Sequence, residues 1–204
     1  MKVLITAGPT REHIDDIRFI SNPSSGATGI ALAEEAVKRG FEVAIVLGPT
    51  SLQPIYGVKV IPVVSSAEMT EKTLAELDKG YDMLVSTAAL ADYTPVEKVD
   101  GKIRSGKDIT LKLKPTRKLI RDARERNPDL KIVAFKAEYR KREDELIEAG
   151  RKLLDTSDLV VVNDVSNDVF GSDETEVYMV GESVKHIKRA KKREVAKEIF
   201  DALS

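Results

Sequence analysis

Short apolar runs alternate with amphipathic stretches along most of this chain. Residues 2–7 form an apolar run that predicts a buried strand, and residues 25–39 predict a helix with Ile30, Ala33 and Val37 on one face. Glu34 with Lys38, and Glu35 with Arg39, stand at i,i+4 spacing on the other face, and Gly40 is placed to end the helix. Strands follow at 41–47 and 58–64. The box Ser65-Ser66-Ala67-Glu68 opens a helix that ends near Gly80. Residues 83–87 are apolar on both faces, as a central parallel strand is. The alternation resumes with a helix at 118–126, a strand at 131–135, a helix at 143–154 and a buried strand at 159–162. Residues 177–180 and 183–187 predict a closing hairpin around Gly181 and Glu182, and 190–203 a last helix. Parallel strands with crossover helices describe an α/β fold: a Rossmann-like, doubly wound, mainly parallel sheet over residues 1–204.

The pattern breaks between residues 94 and 118. This stretch carries Lys98, Lys102, Arg104, Lys107, Lys112, Lys114, Arg117 and Lys118 against Glu97, Asp100 and Asp108. Within it, 109–114 alternates apolar and polar, with Ile109, Leu111 and Leu113 on one side. It reads as a half-exposed strand or hairpin arm on a basic excursion from the sheet. An apolar face leaving the sheet predicts pairing with a second copy of the chain.

Composition narrows the function classes. The chain has 204 residues with 33 Lys plus Arg and 34 Asp plus Glu, for a formal charge of −1. That balance predicts neither nucleic acid nor an anionic membrane as partner. The absence of Cys excludes disulfides, thiolate metal sites and a cysteine nucleophile within these residues. No apolar run approaches the roughly 20 residues that span a bilayer, and the first residues enter a strand rather than a signal peptide. A cytoplasmic protein is the expectation. Neither histidine, His13 or His186, has metal-ligand spacing, and no Walker A loop, nucleophile elbow or zinc motif occurs.

In doubly wound sheets ligands bind outside the carboxyl ends of the strands. Gly8-Pro9-Thr10 follows the first strand, and the polar stretch after it ends in Asn22-Pro23-Ser24-Ser25-Gly26 at the opening of a helix. Such a loop aims backbone N–H groups at one spot and suits an anion, typically a phosphate. The segment between strand and helix is longer than the tight turn of a dinucleotide fingerprint. Ser86-Thr87-Ala88-Ala89 leads to Asp92, where small residues admit a flat group and the carboxylate accepts hydroxyl or amino hydrogen bonds. Phe135-Lys136-Ala137-Glu138, Asn163-Asp164 and Phe170-Gly171-Ser172-Asp173 follow later strands. Each has a structural alternative: Ser24 or Ser25 as a helix cap, Phe135 as core, Asn163-Asp164 as a turn start.

Several blocks occurring in one order resemble phosphopantothenoylcysteine synthetase. They are Ile5-Thr6-Ala7-Gly8-Pro9-Thr10-Arg11-Glu12, Ile20-Ser21-Asn22-Pro23-Ser24-Ser25-Gly26, Ala88-Ala89-Leu90-Ala91-Asp92-Tyr93, Lys102-Ile103-Arg104-Ser105, and Asn163-Asp164-Val165-Ser166 with Gly171-Ser172-Asp173. Together they cover nearly the whole chain. The resemblance implies a ligase that joins 4′-phosphopantothenate to L-cysteine in coenzyme A biosynthesis. The bacterial and archaeal type uses CTP, passes through an acyl-cytidylate, is assisted by Mg²⁺ and forms a homodimer. By the same resemblance, Asn22 holds the acyl intermediate and Lys102, on a segment expected to be mobile without ligand, grips phosphates. Ser25, Gly26 and Ala89 serve the substrate. Gly8, Thr10, Ser86, Thr87, Ala88, Asp92, Lys114, Pro115, Thr116, Phe135 and Arg151 serve the nucleotide.

The chain departs from the family pattern at Ala27, at Lys136 and at Asp155, where many members carry basic, Ala and Lys residues respectively. Lys136 or Lys152 is the expected substitute for the lost charge. Relatives are often fused to a flavin-dependent phosphopantothenoylcysteine decarboxylase, which makes that enzyme, separate or fused, an expected partner. The competing readings are an NAD(P)-dependent oxidoreductase and a non-catalytic nucleotide-binding module. Against the first, Tyr93 is followed four residues on by Glu97 rather than by Lys.

Overall fold

The structure, a computed structural model, describes residues 1–53, 56–166 and 172–203. Its centre is one eight-stranded sheet. The parallel strands are β1 (Lys2–Ala7), β4 (Glu42–Leu47), β5 (Lys59–Pro62), β6 (Met83–Ser86), β9 (Lys131–Glu138) and β10 (Leu159–Asp164). These six parallel strands are the six strand segments read from the sequence before the closing hairpin. β11 (Glu174–Val180) and β12 (Val184–Lys191) extend the β10 edge antiparallel, a longer hairpin than expected. The spatial order is β12-β11-β10-β9-β6-β1-β4-β5. The chain thus winds outward from β1 through β4 to β5, then returns to β6 and winds the other way. The reversal lies between β1 and β6, and it opens a crevice at their carboxyl ends.

The strands are apolar on both faces because both are covered. Val3, Ile5, Val85, Val133 and Val161 pack toward α1 (Ala27–Lys38) and α5 (Lys192–Asp201). Leu4, Leu84 and Ile132 pack toward α2 (Ser66–Leu77) and α3 (Leu119–Arg126). Ala134, Val160 and Val162 meet α4 (Glu143–Arg151) on that same side. Strand residues of alternate parity thus feed opposite layers. Ser65 caps α2 by accepting from the Glu68 N–H at 3.2 Å, as the capping box predicts.

Two small hairpins stand beside the sheet. β2 (Arg11–His13) pairs with β3 (Phe19–Ser21), and β7 (Tyr93–Pro95) with β8 (Leu113–Pro115). The predicted arm at 109–114 is corrected here: only its last two residues enter a strand. Ile109, Leu111 and Leu113 are 51, 39 and 44% exposed, because within one chain their apolar side meets no covering surface. Nor does α1 begin at Ser25; it begins at Ala27, after Gly26 at φ 78°.

Candidate active site

A cavity of about 950 Å³ lies outside the carboxyl ends of the strands at the reversal point. Residues 22–29 form one wall, 86–92 another, and 116–121 a third, with Phe135, Lys136 and Ala137 between them. Two helices begin on this cavity. Neither α1 nor α3 has a side-chain cap on its N-terminus. Their first-turn N–H groups are donors suited to an anion held between them. Ser24 and Ser25 take the first two of these at α1: their hydroxyls accept from the N–H groups of Gly26, just before the helix, and Ala27, its first residue, each at 3.3 Å, which leaves those of Thr28 and Gly29. Gly29 brings α1 onto the sheet, since a Cβ there would stand 2.3 Å from that of Ala7.

The 88–92 loop is held from behind. Pro9 and Ala89 form a parallel bridge that extends the β1–β6 contact past the strand ends. The Thr10 hydroxyl accepts from the Ala91 N–H at 3.0 Å and shares a hydrogen bond of 2.8 Å with Ser66. Thr116 donates its hydroxyl to the Ala91 carbonyl at 2.7 Å. Asn22 donates its amide to the Leu90 carbonyl at 3.1 Å, which ties the two loops together at the cavity. Asp92 reaches the mouth and takes a hydrogen bond of 2.6 Å from the Lys118 ammonium.

Of the predicted residues, Asn22, Ser25, Gly26, Ser86, Thr87, Ala88, Ala89, Asp92, Thr116 and Phe135 all come together on this cavity. Phe135 lines the cavity and also packs against the core. Gly8 and Thr10 lie behind the wall; both are buried, and Thr10 faces Ser66 rather than a ligand. Lys114 and Pro115 are exposed on β8, away from the lining, and Arg151 ends α4 outside it, while its neighbour Lys152 lines it together with Asp155. Lys102 is exposed and outside the lining. Gly101 and Ile103, on either side of it, both donate backbone hydrogen bonds to aspartates.

Asn163 lines the cavity, and Asp164 forms a turn. Its carboxylate accepts from the Ser166, Arg140 and Lys141 N–H groups at 2.8, 3.1 and 3.1 Å. Hydrogen bonding from Ser166, followed by that from Arg140 and Lys141, outweighs burial and lowers its pKa. Phe170 and Gly171 lie outside the described residues. Sequence reasoning missed the start of α3 as a wall and missed Lys192, which the β11–β12 hairpin carries to the rim. The first had a local signal, a Thr-Arg-Lys run just before a helix; the second had none.

Among the described residues no three His, Cys, Asp or Glu side chains gather as a metal cage, and no helix is long and apolar enough to cross a membrane.

Comparison with known proteins agrees with this architecture. Residues 1–204 match the family described as DNA/pantothenate metabolism flavoprotein, C-terminal domain. The chain is 44% identical over 206 residues to the coenzyme A biosynthesis bifunctional protein CoaBC of Thermococcus kodakarensis, covering 99% of this chain and 50% of that protein. It spans about half the length of the curated relatives it matches. The crystal structure of the C-terminal domain of a CoaBC protein superposes with a TM-score of 0.82 at 32% identity, covering 99% of this chain and 93% of that one. That of the DNA/pantothenate metabolism flavoprotein from Streptococcus pneumoniae superposes at 0.87 with 25% identity, covering 100% and 98%. With the match running the full 204 residues, this chain belongs to the DNA/pantothenate metabolism flavoprotein C-terminal domain family.

Proposed function

We propose that residues 1–204 form one phosphopantothenate–cysteine ligase unit of coenzyme A biosynthesis. The observation that carries the reading is the coincidence of family and site. A chain related to coenzyme A biosynthesis proteins has a cavity between two uncapped helix N-termini, beside Asn22 and Asp92. In the first half-reaction a carboxylate oxygen of 4′-phosphopantothenate attacks the α-phosphorus of CTP, and pyrophosphate leaves. In the second, the amine of L-cysteine attacks the acyl carbon, the C–O bond to CMP breaks, and the amine gives up a proton. Neither step needs a protein nucleophile; both need charge neutralisation and alignment.

The residues divide accordingly. The N–H groups of Thr28 and Gly29 and of the α3 N-terminus, with Lys118 and Lys152, face the phosphates. Asp92 accepts from the ribose hydroxyls once Lys118 turns to an anion. Phe135 lies against the base, and the small side chains of Ala88 and Ala89 leave room for the pantothenoyl chain. Asn22 orients the acyl phosphate, and Lys102 stabilises the leaving phosphates. A Mg²⁺ carried by a triphosphate would ask the protein for only one or two carboxylates, and Asp92 and Asp155, which line the cavity, would be the residues to hold it. The ion neutralises phosphate charge. A homodimer, a cytoplasmic location and a decarboxylase, separate or fused, complete the reading.

The test is pyrophosphate release with phosphopantothenate and CTP or ATP in turn, with and without cysteine. Release that depends on phosphopantothenate and is faster with CTP is expected. Absence of release with every nucleotide removes the ligase.

A further inference from the structure

The β2–β3 hairpin grips a different segment at each end. Where β3 leaves it, Asn22 is bound to the 88–92 loop at the cavity. At its turn stands Asp15, whose side chain is fully buried. One oxygen of Asp15 accepts from the N–H groups of Ile17 at 2.9 Å and Arg18 at 2.7 Å, which shapes the turn. The other accepts from the Arg18 guanidinium, at 2.9 Å from Nε and 2.5 Å from Nη2, and from the Ile103 N–H at 3.1 Å. Arg18 Nη2 also donates to the Ile103 carbonyl at 2.6 Å. One ion pair therefore holds both backbone polar groups of Ile103.

Asp16 does the same for Gly101. Its N–H donates to the Gly101 carbonyl at 3.0 Å, and its carboxylate accepts from the Gly101 N–H at 2.7 Å while pairing with Lys98 at 2.6 Å. Lys102 lies between the two held residues with its own side chain free to project.

Asp15 is buried while the Arg18 side chain is 42% exposed, and a pair of this kind is a poor source of stability, because desolvation of the carboxylate offsets much of the attraction. Its strength is in fixing one geometry, and a guanidinium fork on a carboxylate fixes it in two directions. Burial alone would raise the Asp15 pKa, but the hydrogen bonds from Arg18, Ile17 and Ile103 hold it well below the usual carboxylate range.

We propose that Asp15 and Arg18 are positioning residues of the ligase: through Ile103 they set where Lys102 stands relative to Asn22, a role that rests on Lys102 acting at the phosphates. The hairpin is the strut between the two, with Asn22 only four positions after Arg18.

Asp15→Asn is the informative variant. It leaves one oxygen for the Ile17 and Arg18 N–H groups and turns an NH₂ toward two donors, the guanidinium and the Ile103 N–H. Turnover is expected to fall about tenfold or more, with KM for phosphopantothenate and CTP within about threefold. In a Lys102→Gln background the same change adds no further loss, because its effect passes through Lys102. Losses that multiply, or unchanged turnover in Asp15→Asn, overturn the proposal. Arg18→Lys, which keeps the charge and loses the fork, carries the same comparisons if Asp15→Asn does not fold.

Trypsin supplies a readout independent of activity. Cleavage of the native protein after Lys102 and Arg104 is expected to be about tenfold faster in the variant than in wild type; equal rates overturn the tether. If the wild-type protein releases no pyrophosphate, the ligase reading falls, whereas the cleavage pattern still decides whether Asp15 and Arg18 hold the segment.

Discussion

Replacing Gly29 by Ala tests whether close approach of α1 to the sheet sets the cavity. An added Cβ would stand 2.3 Å from Ala7 Cβ and 2.8 Å from Thr87 Oγ1. Neither neighbour can yield. Ala7 is fully buried at the end of β1, and Thr87 donates its hydroxyl to the Thr6 carbonyl at 2.7 Å. Restoring contact near 3.4 Å moves the start of α1 outward by roughly 1 Å. Two effects oppose each other. Gly→Ala inside a helix gains about 1 kcal/mol from backbone entropy. Overpacking a rigid contact costs about 1–3 kcal/mol, toward the upper end where the overlap exceeds 1 Å. The balance is a loss of about 1–2 kcal/mol, or roughly 2–8 °C in melting temperature for a chain of this size. The cavity wall at 25–29 moves with the helix, so turnover falls on the order of 10²-fold. Calorimetry and the pyrophosphate assay measure the two effects. Lys38→Ala, on the exposed side of the same helix, is the control and stays within about 0.5 kcal/mol. A Gly29→Ala protein that melts at or above wild type refutes the packing argument.

Four further outcomes are expected. Lys102→Gln lowers turnover about 10²-fold with little change in melting temperature, since an exposed charge contributes little to folding; near-normal turnover removes Lys102 from the reaction. Asn22→Asp sets a carboxylate oxygen against the phosphate and the Leu90 carbonyl, so pyrophosphate is released but cysteine transfer slows; mass spectrometry detects the acyl-nucleotide, and full activity ends the proposed role. The proposed dimer would bury the exposed Ile109, Leu111 and Leu113, so sedimentation at micromolar concentration is expected to give twice the chain mass, and Leu111→Lys with Leu113→Lys a monomer; a wild-type monomer contradicts this.

The last outcome concerns acid unfolding. Burial raises the Glu76 pKa, but hydrogen bonds from Lys59, Lys79 and Tyr81 outweigh it and bring it to about 2 from an ordinary 4.5. A depressed carboxylate contributes stability above its unfolded value and loses it as pH falls through the folded one. Glu76→Gln therefore flattens the acid limb between pH 4.5 and about 2, read by urea titration at each pH; an unchanged limb refutes it.

The layered sheet was legible because its signals are local. Apolar runs such as 83–86 and 159–162 can be solvated on neither face, so they must be central strands with helices on both sides. The Ser-Ser-Gly opening of α1 and the small residues at 88–89 were legible as loops at one site in the same way, and both line the cavity. Other features depended on pairs far apart in sequence. Asp15 and Ile103 are 88 positions apart, and nothing near Asp15 reveals that burial and a distant N–H will hold it. Thr10 looks like a strand-end contact in sequence, yet it is buried against Ser66, 56 positions on, because α2 starts behind the same loop. The alternation at 109–113 states a face without naming its cover, and one chain supplies none. Sequence by itself determined the elements, their order and the loops that line the cavity, since periodicity and turn chemistry act over a few residues. Tertiary structure alone decided which lysines reach the cavity, because that depends on where the winding reverses and on which distant backbone groups a buried carboxylate must satisfy.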